Sequence, residues 1–339
     1  MNGPEPAASG GERVLWGLDI GGTKIVLAVG TADGSVLARD RIPTDHSRSP
    51  EEVLSAGLAR LAEMHARAGL AGRWPHALGA AVPGPLSYTE RKFLEPPNMP
   101  RWHHFPIGAF LDGSCGCPAA FMNDANAAAL AEWLWGAARG AGTAVFLTMS
   151  TGMGAGLIVN GRLYEGPLGL AGEIGHVRLR EDGPVGFGKR GSVEGFLSGP
   201  GMLQVAAAEA AVCVQRGEPS GLIDMFCAGP TDQAGPAGVE RLCALAASGD
   251  AAARRVTDRC AAELGRLLAI LTDILNPEVF VMGTIGSAHP ELFEPVARRV
   301  LEDEAIGAAA RLVRIVPSGL ASRAEQQALA VAWSIGTPR

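Results

Sequence analysis

No run of about eighteen apolar residues occurs in the 339-residue sequence, so no stretch reads as a membrane-spanning helix. Residues 1–13 are polar and hold no apolar core; they lack what a secretory leader needs and read as a disordered start. A basic excess is missing too. The 29 Lys and Arg against 35 Asp and Glu leave a net charge of −6, which argues against the footprint of a nucleic-acid binder. Cysteine is sparse: six residues without a leader read as reduced thiols of a cytoplasmic protein. Cys115-Gly116-Cys117 has one intervening residue and no histidine or second pair nearby. That falls short of a structural zinc site and reads as a turn leading into a strand.

Two phosphate fingerprints are also absent. In Gly17-Leu-Asp-Ile-Gly-Gly-Thr-Lys24 the closing order is Thr-Lys, the reverse of a Walker loop. The G-x-G-x-x-G of a dinucleotide fold is missing as well, and the segment joins strand to strand where that fingerprint requires strand to helix.

What is present is a globular composition, 47% hydrophobic and 19% charged, long enough for two modest domains. The apolar run 14–20, a glycine turn and the run 25–29 predict a hairpin. Asp33-Gly34 supplies a second turn before 35–39. Pro50 opens a helix with Leu54, Leu58, Leu61 and Met64 at helical spacing. Strands at 77–82 and 119–122 and an Ala-rich helix at 125–138 follow. The device then repeats: strand 144–149, a glycine turn at 152–156, strand 157–159 and the tight turn Asn160-Gly161. A helix at 252–275, strands at 279–282 and 312–316, and an amphipathic helix at 323–333 complete the pattern. Two such halves predict a duplicated α/β architecture, two lobes facing one another across a cleft.

The polar candidates lie at the breaks. Asp19 and Lys24 flank one glycine turn and Thr151 precedes the other; both turns offer backbone N–H groups to phosphate. Asp19 is placed to hold Mg²⁺, through water since that ion dehydrates reluctantly. Asn123-Asp124, at a strand's end and a helix's start, reads either as an N-cap or as a base that takes a hydroxyl proton during phosphoryl transfer. Gly172–Glu194 gathers Glu173, His176 and Glu194 among turns, and on its own allows a metal, a polyol or plain loops.

Taken together, LDIGGTK (18–24), VPGP (82–85), PNMPRW (97–102), NDANAAALAE (123–132), TGMGAG (151–156), GEIGH (172–176), Glu194 and NPEVFVMG (276–283) resemble the ROK family of bacterial sugar kinases over nearly the whole chain after residue 14. The resemblance implies a two-lobed actin-like (ribonuclease H-like) α/β fold. The lobes are expected at 14–126, joined by the C-terminal helix 322–339, and at 127–321. It implies ATP- and Mg²⁺-dependent phosphorylation of the 6-hydroxyl of a hexose, glucose by default. An N-acetylhexosamine is the alternative acceptor, ahead of fructose, allose or mannose, and polyphosphate is the alternative donor. Asp124 resembles the base, and Gly84, Asn98, Asn123, Glu173, His176 and Glu194 resemble contacts to sugar hydroxyls. Asp19 and Gly21, Gly22, Thr23 and Lys24 resemble one phosphate loop, Thr151, Gly152 and Gly154 the other. Gly283 and Thr284 fall where the family turns a glycine-rich segment against adenosine.

The family commonly binds zinc through cysteines after GEIGH. Here Val185, Phe187 and Ser192 stand in their place, so no zinc site is expected. Packing of Val185 and Phe187 is expected to hold the loop, leaving His176 to hydrogen-bond sugar. Some family members are DNA-binding repressors with an N-terminal helix-turn-helix domain, for which the residues before the first strand are too few. A catalytically silent sugar-binding protein is the third class, disfavoured by Asp19, Lys24 and Asp124. A homodimer or homotetramer is implied as well.

Overall fold

A computed structural model describes residues 13–97, 99–227, 236–321 and 323–336. The main elements run β1 (Val14–Ile20), β2 (Lys24–Thr31), β3 (Val36–Pro43), α1 (Pro50–His65), β4 (Ala77–Val82), α2 (Ile107–Ser114), β5 (Ala119–Asn123) and α3 (Asp124–Trp135). They continue with β6 (Ala144–Met149), β7 (Met153–Val159), β8 (Arg162–Leu163), α4 (Val193–Leu197), α5 (Gly199–Arg216) and α6 (Ala251–Leu275). Last come β9 (Val279–Met282), α7 (Thr284–Ala288), α8 (Pro290–Glu304), β10 (Arg314–Pro317) and α9 (Arg323–Trp333). The chain forms two compact units. One takes in the chain up to Gly142, Gly156–Ala171 and the segment from Gly319; the other is Thr143–Ala155 with Gly172–Ser318.

In the first unit, β1 and β2 pair antiparallel with Ile20 opposite Ile25, β3 adds beyond β2, and β4 and β5 add parallel to β1 and to each other. The order is β3-β2-β1-β4-β5. The central strands are apolar on both faces because both faces are covered. Val14, Trp16, Leu18 and Ile20 pack in one cluster with Val53, Leu54, Leu58 and Leu61 of α1. Leu15, Ala28 and Ala77 meet Leu329 and Ala332 of α9 on the other face. A Cβ at Gly17 or Gly79 would lie 2.8 Å from Ala328 Cβ or 2.2 Å from the Ala332 nitrogen. Glycine at these two positions is what lets α9 rest directly on the sheet. α1 begins with a complete capping box, Ser49 with Glu52, and proline at its first turn.

The second sheet has the order β8-β7-β6-β9-β10, with β9 parallel to β6 and β10 parallel to β9. In each sheet the five strands therefore stand third, second, first, fourth, fifth, the duplication that the repeated hairpin predicts. Asn160 and Gly161 both have positive φ, 53° and 70°, as a two-residue hairpin turn requires. β7 begins at Met153, earlier than expected, so Gly154 and Gly156 lie in the strand and not in the turn. The reason at Gly156 is steric: a Cβ there would meet the Ala125 carbonyl at 2.4 Å and Ala129 Cβ at 2.5 Å, so glycine seats this strand against α3.

Candidate active site

Strands β1, β4 and β5 run parallel and finish at one edge of their sheet. Asp19 is opposite Ala81, and Val82 is opposite Asn123. Asp19, Gly84 and Asn123-Asp124 thus share the carboxyl edge, where open α/β sheets bind ligands. A Cβ at Gly84 would stand 3.3 Å from the Asn123 amide nitrogen. Asn123 caps α3: its side-chain oxygen accepts the Ala125 N–H at 3.0 Å, and the Asp124 carboxylate accepts the same N–H at 2.8 Å. Asp124 is exposed in the first turn of α3, where the helix field favours a carboxylate. The N-cap and base readings of this dipeptide are compatible, since one residue caps and its neighbour faces solvent.

Tyr88 is a site residue that sequence reasoning missed. Its hydroxyl accepts the Asn123 N–H at 2.9 Å, and its ring stacks on Phe121 with centroids 5.7 Å apart. The only signal was its scarcity, one of two tyrosines, just after VPGP.

Burial pushes the Asp19 carboxyl up to about 7, with the Asp124 and Glu325 carboxylates adding to the rise and Lys24 opposing it. Three acidic groups against one lysine make this edge chemically suited to a cation. The glycine turn beside it is held from behind. The Gly21 carbonyl accepts the Thr44 hydroxyl at 2.6 Å, the Gly22 carbonyl accepts His46 Nε2 at 2.7 Å, and the Thr23 carbonyl accepts the Thr44 N–H at 3.0 Å. In a trans peptide the N–H points opposite to the C=O, so the N–H groups of Gly22, Thr23 and Lys24 face away from Thr44 and His46. That is the donor array an anion needs. Gly21 differs, for its own N–H is spent on the Lys24 carbonyl at 3.0 Å.

The second unit repeats the arrangement. Met282 is opposite Leu147, so Thr151-Gly152 after β6 and Gly283-Thr284 after β9 share one carboxyl edge. Ser150 N–H donates to the Gly152 carbonyl at 2.9 Å, and the Ser150 carbonyl accepts the Gly199 N–H at 2.7 Å. Thr151 is left exposed at the tip. Thr284 has φ of 45°; its hydroxyl accepts the Met149 N–H at 3.0 Å and donates to the Met149 carbonyl. This hydroxyl therefore fastens the end of β6. A Cβ at Gly283 would lie 2.6 Å from the Phe146 ring.

Glu194, in the first turn of α4, accepts the Met153 N–H at 3.2 Å, which brings it beside the Thr151-Gly152 turn. The short helix Ile174–His176 leans on the same place: a Cβ at Gly175 would meet the Met153 carbonyl at 2.4 Å and Glu194 Cβ at 3.5 Å. Glu173 and His176 are exposed at its two ends. Glu173, His176, Glu194, Thr151 and Gly152 are thus one neighbourhood. Gly154 is displaced from it into β7. Asn98 lies outside the described residues.

The loop 177–192 is not held by packing of Val185 and Phe187, which are 43% and 67% exposed. Hydrogen bonds hold it. Gln204 brackets Val185, its side chain accepting the N–H at 2.9 Å and donating to the carbonyl at 2.8 Å. Ser192 is fully buried, and its oxygen accepts the Gly195 N–H at 3.1 Å as the cap of α4. Lys189 Nζ donates to the His176 carbonyl at 2.7 Å. The His176 ring is engaged as well, edge-to-face with Phe187. Among the described residues, no group of three or more His, Cys, Asp and Glu is arranged to hold a metal ion. No described helix is long and apolar enough to cross a membrane.

Residues 15–330 match the profile of the ROK family. The chain belongs to the ROK family. This ROK protein is 34% identical over 275 residues to N-acetylmannosamine kinase of Escherichia coli O9:H4 (strain HS), covering 80% of this chain and 83% of that relative. The ROK hexokinase from Thermus thermophilus superposes with a TM-score of 0.73 at 29% identity, over 95% of this chain and 97% of that one. A ROK family glucokinase from Streptomyces griseus, solved in complex with glucose and AMPPNP, superposes with a TM-score of 0.71 at 26% identity, over 94% and 99%. The fold of this ROK protein is the two-lobed, actin-like α/β fold of those sugar kinases.

Proposed function

We propose that this ROK protein transfers the γ-phosphoryl group of ATP to the 6-hydroxyl of a hexose, with N-acetylmannosamine as acceptor ahead of glucose. Its similarity to N-acetylmannosamine kinases, 34% identity over 80% of the chain, carries this choice. Glucose, the acceptor expected from the sequence alone, is the second reading; it is favoured by the less similar glucokinase bound to glucose and AMPPNP.

Asp124 takes the acceptor hydroxyl's proton. Its exposed carboxylate at the start of α3 has room for a ligand, and Asn123 and Gly84 beside it supply contacts to sugar hydroxyls. Glu173, His176 and Glu194 supply further hydroxyl contacts. The N–H groups of Gly22, Thr23 and Lys24 receive phosphate oxygens, as do Thr151 and Gly152. Asp19 would hold a Mg²⁺ ion through water, and that ion would offset phosphate charge. The surplus of carboxylates around Asp19 supports this fit.

The test is a coupled ADP-release assay of the full chain with Mg-ATP and N-acetylmannosamine, N-acetylglucosamine or glucose. N-acetylmannosamine is expected to give the highest kcat/KM, by about tenfold or more over glucose. A reversed order favours the glucose reading. ADP release that ignores every sugar contradicts both.

A further inference from the structure

The Cys115-Gly116-Cys117 segment, read from sequence as a plain turn, has a geometry that a plain turn does not need. Cys115 ends α2 in the right-handed helical region (φ −104°, ψ −11°), and Gly116 follows at φ +63°. That reversal turns the chain between the two cysteines. The Cys115 side chain lies over the turn: its Sγ donates to the Cys117 carbonyl at 3.1 Å and to the Leu111 carbonyl at 3.1 Å. Trp74 clamps the turn from outside. Its indole N–H donates to the Gly116 carbonyl at 2.8 Å, and its ring lies where a Cβ on residue 116 would come within 2.8 Å.

Cys115 also lines an open groove of about 360 Å³, walled by Trp16 and Trp74 on one hand and by Leu58, Ala59 and Ala62 of α1 on the other. Cys115 is itself buried, while Cys117 beside it is partly exposed. Cys213, Cys243 and Cys260 are buried as well, and burial pushes each of their thiols up. Cys115 goes the other way. Hydrogen bonding from the Cys117 side chain holds its thiol down at about 6, with burial and Asp112 opposing, and the Cys117 thiol is pushed up in return. The shared hydrogen bond favours the thiolate at Cys115, which is also the cysteine that lines the groove.

We propose that Cys115 and Cys117 are a reversible dithiol–disulfide site that reacts with small-molecule disulfides entering the groove. The Cys115 thiolate attacks one sulfur of the incoming disulfide and expels one thiolate, leaving a mixed disulfide. Cys117 gives its proton to solvent, attacks the Cys115 sulfur and expels the second thiolate. Two cysteine thiols lose two electrons, and the external disulfide is reduced to two thiols. A ring closed across a single residue is strained, which makes it easily reduced again.

The test uses the reduced full-length protein, exposed to oxidised glutathione, alkylated and mapped by mass spectrometry. The parent is expected to give a Cys115–Cys117 disulfide that dithiothreitol reverses. Cys117→Ser is expected to accumulate a stable glutathione adduct on Cys115, since the resolving thiol is gone. Cys115→Ser is expected to leave Cys117 unreacted, at least about tenfold slower than Cys115 reacts in the parent. The proposal is overturned if both thiols of the parent stay alkylatable. It is equally overturned if Cys115→Ser reacts as fast as Cys117→Ser. The parent and Cys117→Ser keep the buried sulfur of Cys115, so the test does not depend on how well Cys115→Ser folds.

Discussion

The ring of Phe187 meets the ring of His176 at 82°, with their centroids 4.9 Å apart. Phe187 is 67% exposed and sits at φ +46°, a conformation costly for a bulky side chain. An exposed phenylalanine in a strained turn gains little from burial, and its contact is with an imidazole. In the proposed reaction that contact fixes the imidazole for the sugar. Phe187→Ala is expected to raise KM for the sugar about tenfold while KM for ATP stays put, and Phe187→Tyr to restore it. Steady-state kinetics with each substrate varied in turn check this. An unchanged sugar KM contradicts it.

Asp19 makes its own contribution to the nucleotide-free protein's stability, and that contribution depends on pH in a definite direction. The ordinary value of 3.8 rises to about 7 in the fold, through burial first and then through Asp124 and Glu325. Between those two values the folded state binds the proton more readily than the unfolded state. The Asp19 contribution to stability is therefore greatest at the acidic end and falls as pH rises from about 4 to about 7, then levels. Asp19→Asn removes the titration. Its melting temperature is expected to pull ahead of the parent's between pH 5 and pH 8, by several degrees at the upper end, while phosphorylation is lost. Parallel melting curves of the two proteins would disprove the assignment.

Thr284 illustrates what the sequence hid. Its position after β9 is readable from NPEVFVMG. That its hydroxyl bridges the N–H and carbonyl of Met149, 135 residues earlier, is not. The bond exists only because β9 and β6 lie side by side. Thr284→Val keeps the shape and removes both bonds. It is expected to cost about 1–3 kcal/mol in denaturant unfolding, with Thr284→Ser close to the parent. A Thr284→Val protein of full stability contradicts the role.

The local features were legible. Pro50 starts α1, Asp33-Gly34 and Asn160-Gly161 close hairpins, and apolar runs mark β1, β4, β6 and β9 at their full extent. The repeated hairpin announces two sheets of the same order because hairpins are encoded by adjacent residues. Contacts made at long range were less legible. Gly156 looks like a turn residue until α3 is seen resting on it, and Tyr88 looks like a loop residue until its hydroxyl meets Asn123. The expected packing of Val185 and Phe187 failed for a related reason. Apolar side chains suggest burial, but the loop carries enough partners in Gln204, Ser192 and Lys189 to be held by hydrogen bonds. Asp124 itself was readable both as a cap and as a base, and its exposed carboxylate, which accepts the Ala125 N–H, is compatible with both.

The role of Asp124 as base rests on kcat for N-acetylmannosamine and glucose phosphorylation by the parent and by Asp124→Asn, with circular dichroism confirming that both are folded. Loss of a general base is expected to lower kcat by about 10²–10⁴-fold, with the far-ultraviolet spectrum unchanged. A folded Asp124→Asn protein that keeps more than about a tenth of the parent's kcat would contradict the assignment of Asp124 as the base.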